Sequence, residues 1–109
     1  MEQMIRLALL YDFYGELLTE KQRAVFEMSN FNDMSLAEVA EELGITPQGV
    51  RDFLKRTQAI LNDYESALEL VKKHAERKKI IEELTDMVNT LRISFTEKCF
   101  IQEKLKELL

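Results

Sequence analysis

The sequence predicts an all-α protein, a helix-turn-helix domain extended by long C-terminal helices. Three observations lead there. Glycine and proline are scarce: Gly15, Gly44, Gly49 and Pro47 are the full set, and none lies beyond residue 49. Apolar residues recur at steps of three and four, with no sustained strand-like alternation. Residues 36–56, LAEVAEELGITPQGVRDFLKR, join two helical patterns at Gly44 with almost nothing between them.

A first helix follows from Met4, Leu7, Ala8, Tyr11 and Tyr14, with Gly15 as its terminator. Thr19 to Gln22 has capping-box spacing and starts a second helix, whose stripe is Val25, Met28 and Phe31 with Ala24 beside them. Residues 30–33 read as a loop. Ser35 and Glu38 form another capping box, and Leu36, Val39, Ala40 and Leu43 share one face of a third helix. Gly44 suits the left-handed position just past that helix.

Thr46-Pro47 starts a fourth helix with a hydroxyl cap followed by proline at the first helical position. Its seam runs through Val50, Leu54, Thr57, Leu61, Tyr64, Leu68, Val71 and Ala75. The phase breaks near residues 76–79. An unbroken helix from Pro47 to the last residue would span roughly 95 Å, so a bend is expected near 74–79. A fifth helix then carries Ile81, Leu84, Val88, Leu91 and Phe95, and Thr96 is the candidate cap of a last segment bearing Phe100, Ile101, Leu105 and Leu108. On this reading residues 1–58 form the helix-turn-helix domain. Residues 59–109 form a helical extension that packs back or dimerises. The seam is read as the stripe on which the fifth helix folds back, with a homodimer through the C-terminal helices as the other use of this surface.

The corner at Gly44 meets several independent steric demands. A small residue must sit where the two helices touch, and Ala40 is there. The turn needs positive φ, which glycine adopts without strain. Leu36, Val39, Leu43, Ile45, Val50 and Phe53 fall where a small shared core must close. Helical corners also occur in bundles that touch no nucleic acid, so the outward residues must decide. Thr46, Gln48 and Arg51 form the candidate base-facing set, and Lys55 and Arg56 the candidate phosphate contacts, all of types that read bases or hold backbones. Asp52, and Glu38, Glu41 and Glu42 on the supporting helix, oppose a polyanion. Pro47 removes a side chain that could have reached a base.

Charge agrees with that assignment. The whole chain carries −5, but residues 46–80 carry a net +3, against −6 before them and −2 after. A polyanion would meet that middle segment or be repelled. Lys72, Lys73, Arg77, Lys78 and Lys79 form a second candidate phosphate patch, with His74 among them. The bland reading is a solvated helix end where cations favour the dipole.

Enzymatic chemistry finds little support. His74 and Cys99 stand alone, which makes neither a usual zinc site nor a nucleophilic pair, so no metal, cofactor or catalytic residue is assigned. The glycines are too scattered for a phosphate loop. No apolar run approaches the roughly 18 residues of a membrane span. No signal peptide is read at the N-terminus, and one cysteine fits a reducing cytoplasm.

The stretches LTEKQRAVFEM and SLAEVAEELGITPQGVRDFLKRTQAIL resemble region four of bacterial primary sigma factors, which grips promoter DNA. Across the whole chain the resemblance is closer to the YlxM family, in the opening YDFYGELLTEKQ and the basic run LKRTQAILNDYE. It implies a nucleic-acid-binding accessory or regulatory protein, on DNA or RNA, linked to signal recognition particle components. Where the family motif commonly has a basic residue this chain has Pro47, which implies weaker base reading. The rival expectation is a protein-interaction module of the targeting machinery that keeps the corner as scaffold.

Overall fold

The computed structural model describes residues 2–109. It is all-α, in the order α1 (Glu2–Tyr14), a 3-10 turn (Gly15–Leu17), α2 (Glu20–Asn30), α3 (Leu36–Leu43), α4 (Pro47–Leu68), α5 (Leu70–Asn89) and α6 (Phe95–Lys106). The chain divides into two compact units, the first ending at Glu69 and the second spanning Leu70–Leu109.

Local chemistry sets the helix starts. Thr19 and Ser35 each accept a bond from the backbone N–H three residues on, while Gln22 and Glu38 reach back to the cap N–H. Each reciprocal pair satisfies two amides that the first turn leaves orphaned. Ser94 and Glu97 do the same for α6. Thr96 is therefore not the cap: it lies inside the helix, and the Ser94-Phe95-Thr96-Glu97 spacing completes a box that Thr96 cannot.

In the first unit α2, α3 and α4 close around Val25, Val39, Ala40, Val50 and Leu54. Met28, Met34, Leu36, Leu43 and Phe53 pack against this cluster, half-buried. Burying each of the larger aliphatic side chains contributes about 1.5–3 kcal/mol. Ala40 is 3% exposed, as the helix crossing requires. Ile45, expected in this core, is instead 43% exposed: the turn directs it outward.

The α1 helix lies against α4 and buries Leu7, Leu10 and Tyr14, while Met4 is exposed, so its inward face is rotated from the expected stripe. Tyr11 stacks on Phe26 of α2, with centroids 4.7 Å apart and planes at 10°. Phe26 is fully buried and was absent from the expected stripe of α2, because the α1 ring that covers it comes from elsewhere in the sequence. Gly15 suits this packing: a Cβ there would sit 3.1 Å from the Tyr11 ring, which would have to shift by a few tenths of an ångström.

Two expectations about α4 are corrected. Its seam from Val50 to Leu61 is buried inside the first unit by α1, α2 and α3, so that stretch is not a stripe left open for a fifth helix. The helix also ends earlier than 74–79. Glu69 adopts φ 54 and ψ 32, a left-handed conformation that breaks the helical path, and its N–H donates to the Glu65 carbonyl at 2.8 Å. A division after Glu69 also leaves α4 whole, whereas a boundary at 58 would cut it.

The second unit pairs α5 with α6. Ile81 and Val88 are its buried apolar residues. Gln102 Nε2 donates to Asn89 Oδ1 at 2.8 Å and Lys98 Nζ to the Asn89 carbonyl at 3.0 Å, tying α6 to the end of α5. Leu84 and Leu91 are exposed and Phe95 is 81% exposed, so the expected fifth-helix stripe is only partly an inward face.

Candidate nucleic-acid interface

The corner is built as its residue types require. Gly44 adopts φ 68 and ψ 32, and its N–H and that of Ile45 donate back to carbonyls of α3, Ala40 accepting from Ile45 at 3.1 Å. This closes α3 and turns the chain at once into α4. There Thr46 Oγ1 accepts from the Gly49 N–H at 3.0 Å. The cap fixes the Thr46 side chain at the helix start, where its O–H can still donate outward.

Beyond the cap, α4 buries Val50, Leu54, Thr57 and Leu61. The opposite side carries the candidate residues. Thr46, Gln48, Arg51, Asp52, Lys55 and Arg56 are all exposed. At about 100° per residue, Gln48, Arg51 and Lys55 fall within about 60° of one another around the axis. They form a single outward face over the first turns, where a recognition helix meets base edges. Arg56 is turned about 140° from Arg51, onto the flank nearer α2.

Electrostatics on this face are mixed. Among the described residues Arg51, Lys55 and Arg56 form no salt bridge, so their cations remain available to an anion. Gln48 is partly occupied, since its Nε2 donates to Asp52 Oδ1 at 3.0 Å. That bond holds an acidic oxygen beside the face. The acidic residues of α3 lie on its exposed surface, where Glu38 is held in its capping box.

One cation that sequence spacing did not single out belongs to this region. Lys21, on the first turn of α2, places its Nζ 5.7 Å from the ring centroid of Phe53 on α4. The Lys21-to-Phe53 separation of more than thirty residues hides this contact from any local pattern.

The second basic cluster is placed differently from the sequence reading. Lys72, Lys73, Arg77, Lys78 and Lys79 occupy the first half of α5, not the end of a preceding helix. Near a helix start the dipole does not favour cations, so of the bland explanation for this cluster only solvation applies, not the dipole. All five are exposed. They belong to the second unit, whereas the face of α4 belongs to the first.

Among the described residues no group of three or more His, Cys, Asp or Glu side chains is placed to hold a metal ion, and no helix is long and apolar enough to cross a membrane.

A tri-helical core whose α3 and α4 meet at a Gly-turned corner defines a helix-turn-helix protein. Comparison with known proteins agrees: the model of the UPF0122 family, helix-turn-helix proteins described as YlxM / p13 like, matches residues 1–103. The chain belongs to that family. It is 51% identical over 87 residues to a UPF0122 protein of Caldanaerobacter subterraneus, covering 80% of this chain and 74% of the relative. A UPF0122 protein of Thermoanaerobacter is 44% identical over 91 residues, covering 84% of this chain and 78% of its own length. One from Bacillus thuringiensis is 35% identical across all of this chain and 93% of its own.

Proposed function

We propose that this protein binds duplex DNA through the outward face of α4 and acts as an accessory or regulatory protein rather than an enzyme. The observation that carries this reading is the shared exposure of Gln48, Arg51 and Lys55 on the first turns of a capped helix whose opposite side is buried. Arg51 and Gln48 supply the base-reading chemistry, with the Thr46 hydroxyl at the helix start. Lys55 and Arg56 meet phosphates. Membership of the family supports nucleic-acid binding in the coarse sense. A place in the cytoplasm and in the signal recognition particle pathway is taken from cysteine usage and from the resemblance to YlxM proteins. With Asp52 and the α3 carboxylates nearby, the binding is weak and steeply salt-dependent.

The test is anisotropy of labelled duplex DNA and of a structured RNA hairpin at two salt concentrations, with the wild type and an Arg51→Ala, Lys55→Ala double variant. The expected result is duplex binding that weakens with salt, lost markedly in the double variant. Equal affinity of the two proteins would overturn the reading. Stronger binding of the hairpin, also lost in the double variant, would move the target to RNA.

A second reading has its own observation. Ile80, Leu84, Met87 and Leu91 are all exposed and alternate steps of four and three along α5 and just past its end, a stripe suited to a helical partner. A second copy of this chain or a component of the targeting machinery would cover it. Sedimentation of the wild type and a Leu84→Glu variant separates self-association from monomer.

A further inference from the structure

The geometry points to Lys21, together with Arg56, as an anchor for the DNA backbone on the α2-facing flank of α4, a role that rests on the reading of α4 as the helix that enters the groove. A helix in the major groove, about 10–12 Å across in a groove about 12 Å wide, is close to phosphates on both sides. Base-facing residues alone leave such a helix free to roll about its axis. Contacts on a flank set its orientation.

On the α2 side the structure supplies that contact. Arg56, Phe53, Thr57 and Ile60 of α4 and Gln22 of α2 line a shallow depression of about 240 Å³. This is several times the roughly 30 Å³ that one water occupies in the liquid. Phe53 borders it from one side, and the ammonium of Lys21 lies 5.7 Å from the same ring. Attraction to the ring holds the Lys21 head beside α4 without neutralising its charge. Lys21 and Arg56 are both exposed, and among the described residues neither forms a salt bridge. Lys21 of α2 thus sits over the Phe53 ring, while Arg56 of α4 and Gln22 of α2 line the depression that the same ring lines. No carboxylate lines the depression. That distinguishes it from the Gln48 side of the helix, where Asp52 intrudes.

The experiment measures affinity of the full chain for short mixed-sequence DNA duplexes across a salt series. It compares wild type, Lys21→Gln, Arg56→Gln, the double variant and Arg51→Ala. Lys21→Gln is expected to reduce the steepness of the logarithmic salt dependence by about 0.9, the value of one lost phosphate contact, and the double variant by about twice that. The loss should be uniform across duplexes of different sequence, whereas Arg51→Ala changes the ranking of sequences. Circular dichroism confirms folding, which an exposed lysine does not control.

A Lys21→Gln protein with the salt slope of the wild type overturns the anchor. If Arg51→Ala still weakens binding in that case, the reading of α4 stands and only the anchor falls. If the wild type binds no duplex at low salt, the reading of α4 falls and the anchor with it. A slope change seen on a structured RNA hairpin and absent on duplexes overturns anchoring to a DNA backbone.

Discussion

The Tyr14 hydroxyl donates to the Glu65 carboxylate at 2.5 Å, joining α1 to α4 across 51 residues of sequence. Both residues are buried, Glu65 at 8% exposure and Tyr14 fully. A carboxylate taken from water needs donors, and bonds to charged groups are worth about 1.5–3 kcal/mol. Tyr14 also stacks on Tyr64, with centroids 5.9 Å apart, so its ring and its hydroxyl both hold α1 in place.

Tyr14→Phe therefore keeps the ring and removes the donor. It should lower stability by about 1–3 kcal/mol in urea denaturation. Adding Glu65→Leu should recover part of the loss, because an apolar replacement of both partners removes the desolvated carboxylate. A double variant as unstable as the sum of the singles would show that the two residues act independently.

That contact also marks where the sequence stops being legible. The caps at Thr19 and Ser35, the turn at Gly44 and the small residue Ala40 could be read because each obeys a rule acting within a few residues. Ser94 was readable by the same rule, through Glu97. Phe26, Glu65 and Lys21 were not, because what buries, bonds or holds them comes from another helix. The break at Glu69 carries no local signal either: neither glycine, proline nor asparagine stands there. For the candidate interface, residue type and helical phase located the outward face of α4. They did not reveal that Asp52 holds Gln48 or that Lys21 of α2 lies over the Phe53 ring.

Tyr11 gives the molecule an alkaline limit. Burial first, and then the bond its hydroxyl donates to Glu27 at 2.6 Å with the charge of that carboxylate, push its pKa up to about 12. The ordinary value is 10.0. The folded state thus holds the proton more tightly than the unfolded chain. This contribution to stability is complete below about pH 10 and is lost as pH rises from about 10 to 12. Tyr11→Phe should flatten the fall in stability over that window. An unchanged pH profile in the variant would refute the assignment, and a tyrosinate absorbance titration of the wild type checks the shift directly.

Gly44 should tolerate few replacements even though nothing lies within 4 Å of a Cβ built there. The space is open, so the cost of Gly44→Ala comes from the backbone alone. At φ 68 that is about 1–2 kcal/mol. Asparagine enters this region more readily, so Gly44→Asn should lose less. Thermal midpoints of the two variants test this: a loss shared equally by both would mean that something other than left-handed strain is at work. Because the turn aims α4, DNA affinity should fall in the same order as stability.

Asp52 is where the face of α4 works against its proposed partner. Its carboxylate accepts from Gln48 Nε2 at 3.0 Å and stands one residue from Arg51. A phosphate approaching Arg51 or Lys55 meets this negative charge, and a base edge approaching Gln48 finds one of its donors already committed. Asp52→Ala removes both obstacles and leaves the core intact, since residue 52 is exposed. Exposed changes of this kind alter stability by only about 0.5 kcal/mol, so the thermal midpoint should stay near that of the wild type. Affinity for duplex DNA should rise, most strongly at low salt, where repulsion between exposed charges is least screened. The gain should disappear in an Asp52→Ala protein that also carries Arg51→Ala and Lys55→Ala, because the cations it unmasks are then gone. Anisotropy titrations of these proteins at two salt concentrations decide the matter. Weaker binding by Asp52→Ala would mean that the Gln48–Asp52 pair positions the reading face instead of obstructing it.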